Sequence, residues 1–376
     1  MNDKLLHIEG IRGIACFMVV LSHLALVFYP GLHEKELISN ATEDFIFNSP
    51  IPFIYSGTAA VFIFFVLSGY VLTFGVMKRT DILSAISTMT IRRYFRLAPP
   101  VLASCILSFV VIRFFDVDTT NLSAWISSYG NFEPTMPGAI YSALIETFFR
   151  GGSAYNPVLW TMKIELIGSL IIFFYCAVAA GNENKLPIAI MFSVFVFLLP
   201  LSQTEKYSYI CFIIGATMNN LKKTLSLPAS IIILFVGIYF GGVHYGSAAY
   251  ASAIEYVSHP IFGEMTNAYY LFCAVSGVLI VFSVVCNTKQ SIFFGKALFV
   301  YSGKVSFSVY LIHMPMLYLI APLVFNSSIS MGYFQAAAIA STTTIVCIYV
   351  AANYFYKIFD ISAISFSKAI SKKVAG

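Results

Sequence analysis

The chain has 376 residues, of which 59% are hydrophobic and only 10% charged, with a formal net charge of +5 and a mean hydropathy of +0.84. A soluble domain carries roughly 25% charged residues, so a water-solvated globule is excluded and lipid must be the solvent for most of this surface. The basic residues bracket apolar segments, so the positive balance reads as orientation in a bilayer and not as a nucleic-acid footprint.

In chain order, apolar runs of near-spanning length fall at 11–30, 53–76, 98–115, 157–180, 186–202, 206–221, 227–243, 267–286, 305–325 and 333–356. The first is a retained helix and not a cleaved leader, because it holds Arg12 and His23 and lacks a small-x-small cleavage site. The runs at 186–202 and 206–221 are the shortest, and a re-entrant hairpin is the alternative for that pair. The expected fold class is an all-α polytopic membrane helix bundle of about ten transmembrane helices with both termini cytoplasmic. Residues 1–376 are read as a single membrane domain with no appended soluble domain.

Charge supports this map. With the N-terminus inside, 16 of the 22 Lys and Arg fall on the cytoplasmic side, four in outer loops, and Arg12 and Lys163 within apolar segments. Two stretches outside the runs are amphipathic. Residues 80–97 suggest a cytoplasmic interfacial helix. Residues 116–156 form the longest outer segment, carrying Asp116, Asp118, Glu133 and Glu146, and a connection that long often covers a site. All seven cysteines lie in apolar segments without metal or redox spacing, so they read as small packing residues.

An ionisable side chain at mid-helix costs about 2.5–3.5 kcal/mol on insertion. Arg12, His23, Lys163, Glu165 and His313 each therefore need a reason to be there. Arg12 and His23 are 11 residues apart, which places them within roughly 20° of one helix face and about 16 Å apart along it. An arginine near a helix end is often an interface anchor; a histidine two-thirds of the way across is harder to explain as packing. Lys163 and Glu165, at i and i+2, point to different faces and are poorly placed to pair with each other. Glu165 lies about 12 Å into its helix, a depth comparable to that of His23, which makes His23 its expected partner. Arg92, Arg93 and Arg96 form a cationic cluster that either obeys the positive-inside rule or clamps phosphate with its planar forks. In FFVLSGY at 64–70, Ser68 and Gly69 allow close approach of a helix or a ligand.

The ordered set IEGIRGIACFMVVLSH (8–23), FFVLSGY (64–70), RRYFRLAPP (92–100), LWTMKIE (159–165) and SFSVYLIHMP (306–315) resembles the acyltransferase 3 family of bacterial membrane proteins. That family includes O-acetyltransferases of cell-surface polysaccharides. The resemblance implies essential roles for Arg12 and His23, an Arg-x-x-Arg element at Arg93 and Arg96 on the acyl-donor side, and a Trp and Glu opening the fourth helix, here Trp160 and Glu165. Glu9 stands where an Asp is usual, and Tyr70 where a Phe is common. By the same resemblance the donor is acetyl-CoA, bound transiently with no permanent cofactor and no metal. The acceptor is a saccharide or lipid-linked saccharide, and the setting is a bacterial inner membrane.

On this reading His23 is the general base, histidine being the side-chain type that exchanges protons near neutral pH, and Glu165 orients it. Arg92, Arg93, Arg96 and Ser68 are expected to bind the donor; Trp160, Lys163, Tyr310 and His313 are expected to bind substrate or support the site. A proton-coupled secondary transporter using the same intramembrane His, Glu and Lys is the alternative, although no internal repeat is visible.

Overall fold

The computed structural model describes residues 5–221, 223–261 and 264–375. The helices are α1 Leu6–Phe28, α2 Ala41–Phe47, α3 Gly57–Met77, α4 Ile82–Phe114, α5 Ala124–Tyr129, α6 Met136–Tyr141, α7 Thr161–Ala179 and α8 Leu186–Leu198. They continue as α9 Gln203–Thr217, α10 Leu227–Gly241, α11 Ala251–Val257, α12 Ala268–Val285, α13 Thr288–Phe294, α14 Ala297–Ser328, α15 Tyr333–Phe355 and α16 Ile361–Ala375. The extended backbone pairing among the described residues is a two-residue antiparallel bridge, Pro260 opposite Met265 and Ile261 opposite Glu264. The chain is an all-α, multi-pass membrane bundle.

Each of the ten apolar runs is a helix. Among the described residues seven helical segments are long and apolar enough to cross a membrane: Leu6–Phe28, Gly57–Met77, Ile82–Phe114, Pro157–Ala179, Ala268–Val285, Ala297–Met331 and Tyr333–Val374. The other three, α8, α9 and α10, have only 13, 15 and 15 residues. Boundaries differ from the expected ones in a consistent way. The interfacial stretch at 80–97 and the run beginning at 98 are one helix of 33 residues, α4, continuing through Pro99 and Pro100. Membrane helices tolerate proline where neighbours satisfy the freed carbonyls. The last run likewise does not stop at 356. A π-helical turn, Tyr356–Asp360, joins α15 to α16.

Two compact units are interleaved along the sequence: residues 1–19, 31–90 and 167–304, and residues 20–30, 91–166 and 305–376. Helices α1, α4, α7 and α14 contribute residues to both. In the first unit α3 packs on α9 and α12, and α10 on α12. Glycine lets the α3 and α9 backbones touch. A Cβ on Gly69 would land on the Phe212 carbonyl, and one on Gly215 would land on the Val66 carbonyl. The Gly69 of FFVLSGY is thus explained by helix packing of the small-residue kind. The glycines of IEGIRG act similarly, since Gly13 faces the Gly303 backbone and a Cβ on Gly303 would fall on the Glu9 carbonyl. Polar caps start these helices: Ser56 for α3, the Ser202–Glu205 capping box for α9 and Asn267 for α12. Six of the seven cysteines are buried, in keeping with their reading as packing residues.

Candidate active site

The second unit gathers most of the residues singled out above. It contains His23 on α1, Arg92, Arg93 and Arg96 on α4, Trp160, Lys163 and Glu165 at the start of the Pro157–Ala179 span, and Tyr310 and His313 on α14. Arg12 and Ser68 belong to the first unit, where the Arg12 guanidinium pairs with Glu9 one turn earlier at 3.1 Å.

The placement of His313 follows from a proline. In a helix each carbonyl accepts from the N–H four residues on. For Leu311 that residue is Pro315, which has no N–H. Two side chains take the vacant position. Ser104 Oγ donates to the Leu311 carbonyl at 2.6 Å and Asn156 Nδ2 at 2.7 Å, while the same amide also reaches Ser104 Oγ at 2.8 Å. Asn156 and Ser104 are fully buried. One turn earlier, Tyr310 donates its phenol to the Val158 carbonyl at 2.7 Å and lies 2.9 Å from Thr161 Oγ1. These contacts tie α14 to α4 and to the start of α7 within the turn that precedes His313.

His313 is fully buried, and its Nδ1 lies 2.7 Å from the Tyr310 carbonyl. Its Nε2 lies 2.8 Å from Nδ1 of His23. The two ring planes differ by 10° with centroids 4.9 Å apart. A nitrogen contact that short between near-parallel rings is an edge-to-edge hydrogen bond, because stacked faces cannot approach so closely. A third ring adjoins His23: the Trp125 indole, 5.3 Å between centroids and 14° from parallel.

The carboxylates have their own partners. The sequence suggested Glu165 as the partner of His23. In the structure the His23 ring is hydrogen-bonded to His313, and the Glu165 carboxylate accepts from Arg93 Nη2 at 2.5 Å. Counting residues along two helices gives depth but not azimuth, so it discloses neither the His313 contact nor the Arg93 contact. Arg96 forms an ion pair with Asp360, a buried carboxylate at the end of the π-helical turn. Arg96 Nη1 remains a buried donor with no hydrogen-bond partner among the described residues. Arg92 is half-buried beside them. Lys163 runs its stem past Gly151, whose φ of +81° and missing Cβ leave room for it. Trp160 closes the 3-10 turn Pro157–Trp160 and is half-buried.

Ser104, Trp125, Asn156 and Asp360 of this unit carry no sequence signal that marks them for the site. Trp125 sits in the 116–156 connection, on the short helix α5. Its neighbour Tyr129 is held by burial well above the ordinary phenol pKa, and it donates to the Tyr155 carbonyl at 2.7 Å. Asp360 lies four residues past the last expected span, outside the stretches in which a carboxylate is costly to bury. Pro315 in SFSVYLIHMP was the available signal for a carbonyl in need of a donor, though not for which donor.

The model of a family described as an acyltransferase domain, acyltransferase 3, matches residues 5–352. The O-acetyltransferase PaAT-1 of Phomopsis amygdali is 25% identical over 243 residues, covering 51% of this chain and 46% of that protein. Acyltransferase clz18 of Cochliobolus lunatus is 23% identical over 254 residues, covering 53% and 54%. Both relatives are fungal, and the chain spans about half the length of each. No solved structure matches. With its five motifs in order and the family model matched across residues 5–352, the chain belongs to the acyltransferase 3 family.

Proposed function

We propose that this protein transfers an acyl group, acetyl in the simplest case, from acetyl-CoA on the cytoplasmic side to a hydroxyl of a saccharide or lipid-linked saccharide, with His23 as general base. The observation that carries this reading is the hydrogen-bond chain Tyr310 carbonyl, His313, His23. A carbonyl only accepts, so His313 carries its proton on Nδ1. Its Nε2 is then the acceptor, and His23 must donate from Nδ1. A neutral His23 in that tautomer has its lone pair on Nε2, the form a general base needs.

The chemistry follows. The acceptor hydroxyl gives its proton to His23 Nε2 as its oxygen attacks the thioester carbonyl. The carbon–sulfur bond then breaks, and the imidazolium returns the proton to the departing thiolate. While His23 is charged, its bond to His313 becomes a charge-assisted one, stronger than the neutral bond it replaces. His313 therefore takes the orienting role that the sequence suggested for Glu165. Glu165 and Asp360 instead fix the guanidinium groups of Arg93 and Arg96. A guanidinium has five N–H donors, so a carboxylate on one edge leaves others for donor phosphates, among them the buried Nη1 of Arg96. Lys163, Trp160 and Tyr310 support the acceptor side. For Arg12 and Ser68 the support is the motif resemblance alone. The bacterial inner membrane and the polysaccharide acceptor rest on the same resemblance, beside relatives that are fungal.

The test is release of free thiol from acetyl-CoA by the purified protein in lipid nanodiscs. His23→Ala should lower release to background, since a general base contributes about 10²–10⁴-fold, with expression and monodispersity unchanged. Release at the wild-type rate from His23→Ala contradicts the assignment, and absence of release from the wild type favours transport.

A further inference from the structure

We infer that Trp125 is a positioning residue of the transfer step, its indole face holding the His23 ring in line with His313 and stabilising the positive charge that His23 acquires. The inference rests on the reading of His23 as the base.

Three observations carry it. The indole is near-parallel to the imidazole, 14° apart with centroids at 5.3 Å, which is the offset arrangement of a ring lying over a ring. The imidazole is held on its edge by His313, so the two neighbours constrain different motions: His313 fixes where Nδ1 points, and Trp125 limits tilting of the ring about that bond. The tryptophan is itself held. Ser123 N–H donates to the Val27 carbonyl, one turn beyond His23 on the same helix, at 3.3 Å. Asn326 Nδ2 donates to the Asp118 carbonyl at 2.8 Å, Ile126 is fully buried, and the buried Tyr129 phenol reaches the Tyr155 carbonyl. A short surface helix anchored on both flanks presents one aromatic face to the one histidine that changes charge.

A cation is attracted to the face of tryptophan when it lies within about 6 Å of the ring centroid. The attraction exists only after His23 takes the acceptor's proton. It is therefore a stabilisation of the transition state relative to the bound ground state, and it should appear in kcat and not in KM. No reactant beyond the acyl thioester and the hydroxyl is required, and the proton path through His23 Nε2 is unchanged.

The experiment compares Trp125→Phe and Trp125→Leu with wild type and His23→Ala in nanodiscs, following thiol release from acetyl-CoA. Trp125→Leu should lower kcat about tenfold while KM for acetyl-CoA stays within about twofold, and Trp125→Phe should recover about a third of the lost rate. If Trp125→Leu does not fold, Trp125→Met supplies the same comparison with a long apolar side chain. A wild-type kcat in the apolar variant, or equal impairment of the Phe and apolar variants, overturns the inference while an inactive His23→Ala leaves the base assignment standing. An active His23→Ala overturns both.

Discussion

Three of the four ring nitrogens in the His23–His313 pair are engaged in one chain of contacts that ends on the Tyr310 carbonyl, which can only accept. At the arginines, charge and shape can be separated by substitution. Truncating Arg96 would remove an ion-pair partner of the buried carboxylate of Asp360, and breaking a buried pair costs about 3–5 kcal/mol, so Arg96→Ala mixes folding with binding. Arg96→Lys keeps the charge beside Asp360 but loses the planar fork suited to phosphate. We expect KM for acetyl-CoA to rise about tenfold in Arg96→Lys with kcat within about twofold, measured as thiol release. An unchanged KM returns Arg96 to a purely structural pairing with Asp360. At this scale the sequence disclosed which residues were costly in a membrane, His23, Glu165 and His313 among them, because burial cost depends on residue type and depth. It did not disclose who pairs with whom, because that depends on the rotation of each helix about its axis.

At the scale of elements, Pro315 connects helix chemistry to site geometry. By removing one N–H it opens the Leu311 carbonyl, and Asn156 and Ser104 lock α14 through that opening two residues from His313. Asn156→Ala should remove one of these donors from the carbonyl and leave a buried void, destabilising the protein by about 1–3 kcal/mol. The slip of His313 should also lower kcat for thiol release more than it raises KM. A thermal-unfolding series read beside the kinetics checks this: loss of stability with full kcat would mean that the lock does not position the histidine. The ten helices were legible because apolar runs are a local signal. Their ends were less so. In α4 a basic, amphipathic stretch and an apolar one share one helix across two prolines, and in the last segment a π-helical turn keeps Asp360 within helical structure. Neither continuity is encoded in local hydropathy; both depend on neighbours that satisfy the backbone. The α5 helix was invisible for the opposite reason, being six residues in a polar connection.

At the scale of the whole molecule, a bundle poor in charge places its arginine cluster and its histidine pair on different stretches of the same unit, with Arg92, Arg93 and Arg96 on the N-terminal half of α4 and Ser104, which helps lock the His313 helix, on the C-terminal half. On the expected map sixteen of the 22 basic residues lie on the cytoplasmic side, Arg92, Arg93 and Arg96 among them. In the proposed reaction the donor enters from one face, with His23 acting on it from within the bundle. The most direct test supplies acetyl-CoA to sealed vesicles of known orientation carrying the wild type or His23→Ala. Inside-out vesicles, with the cytoplasmic face outward, should release free thiol from external acetyl-CoA; right-side-out vesicles should not, and His23→Ala should release none in either orientation. Release from right-side-out vesicles alone, or equal release with and without His23, would contradict the account.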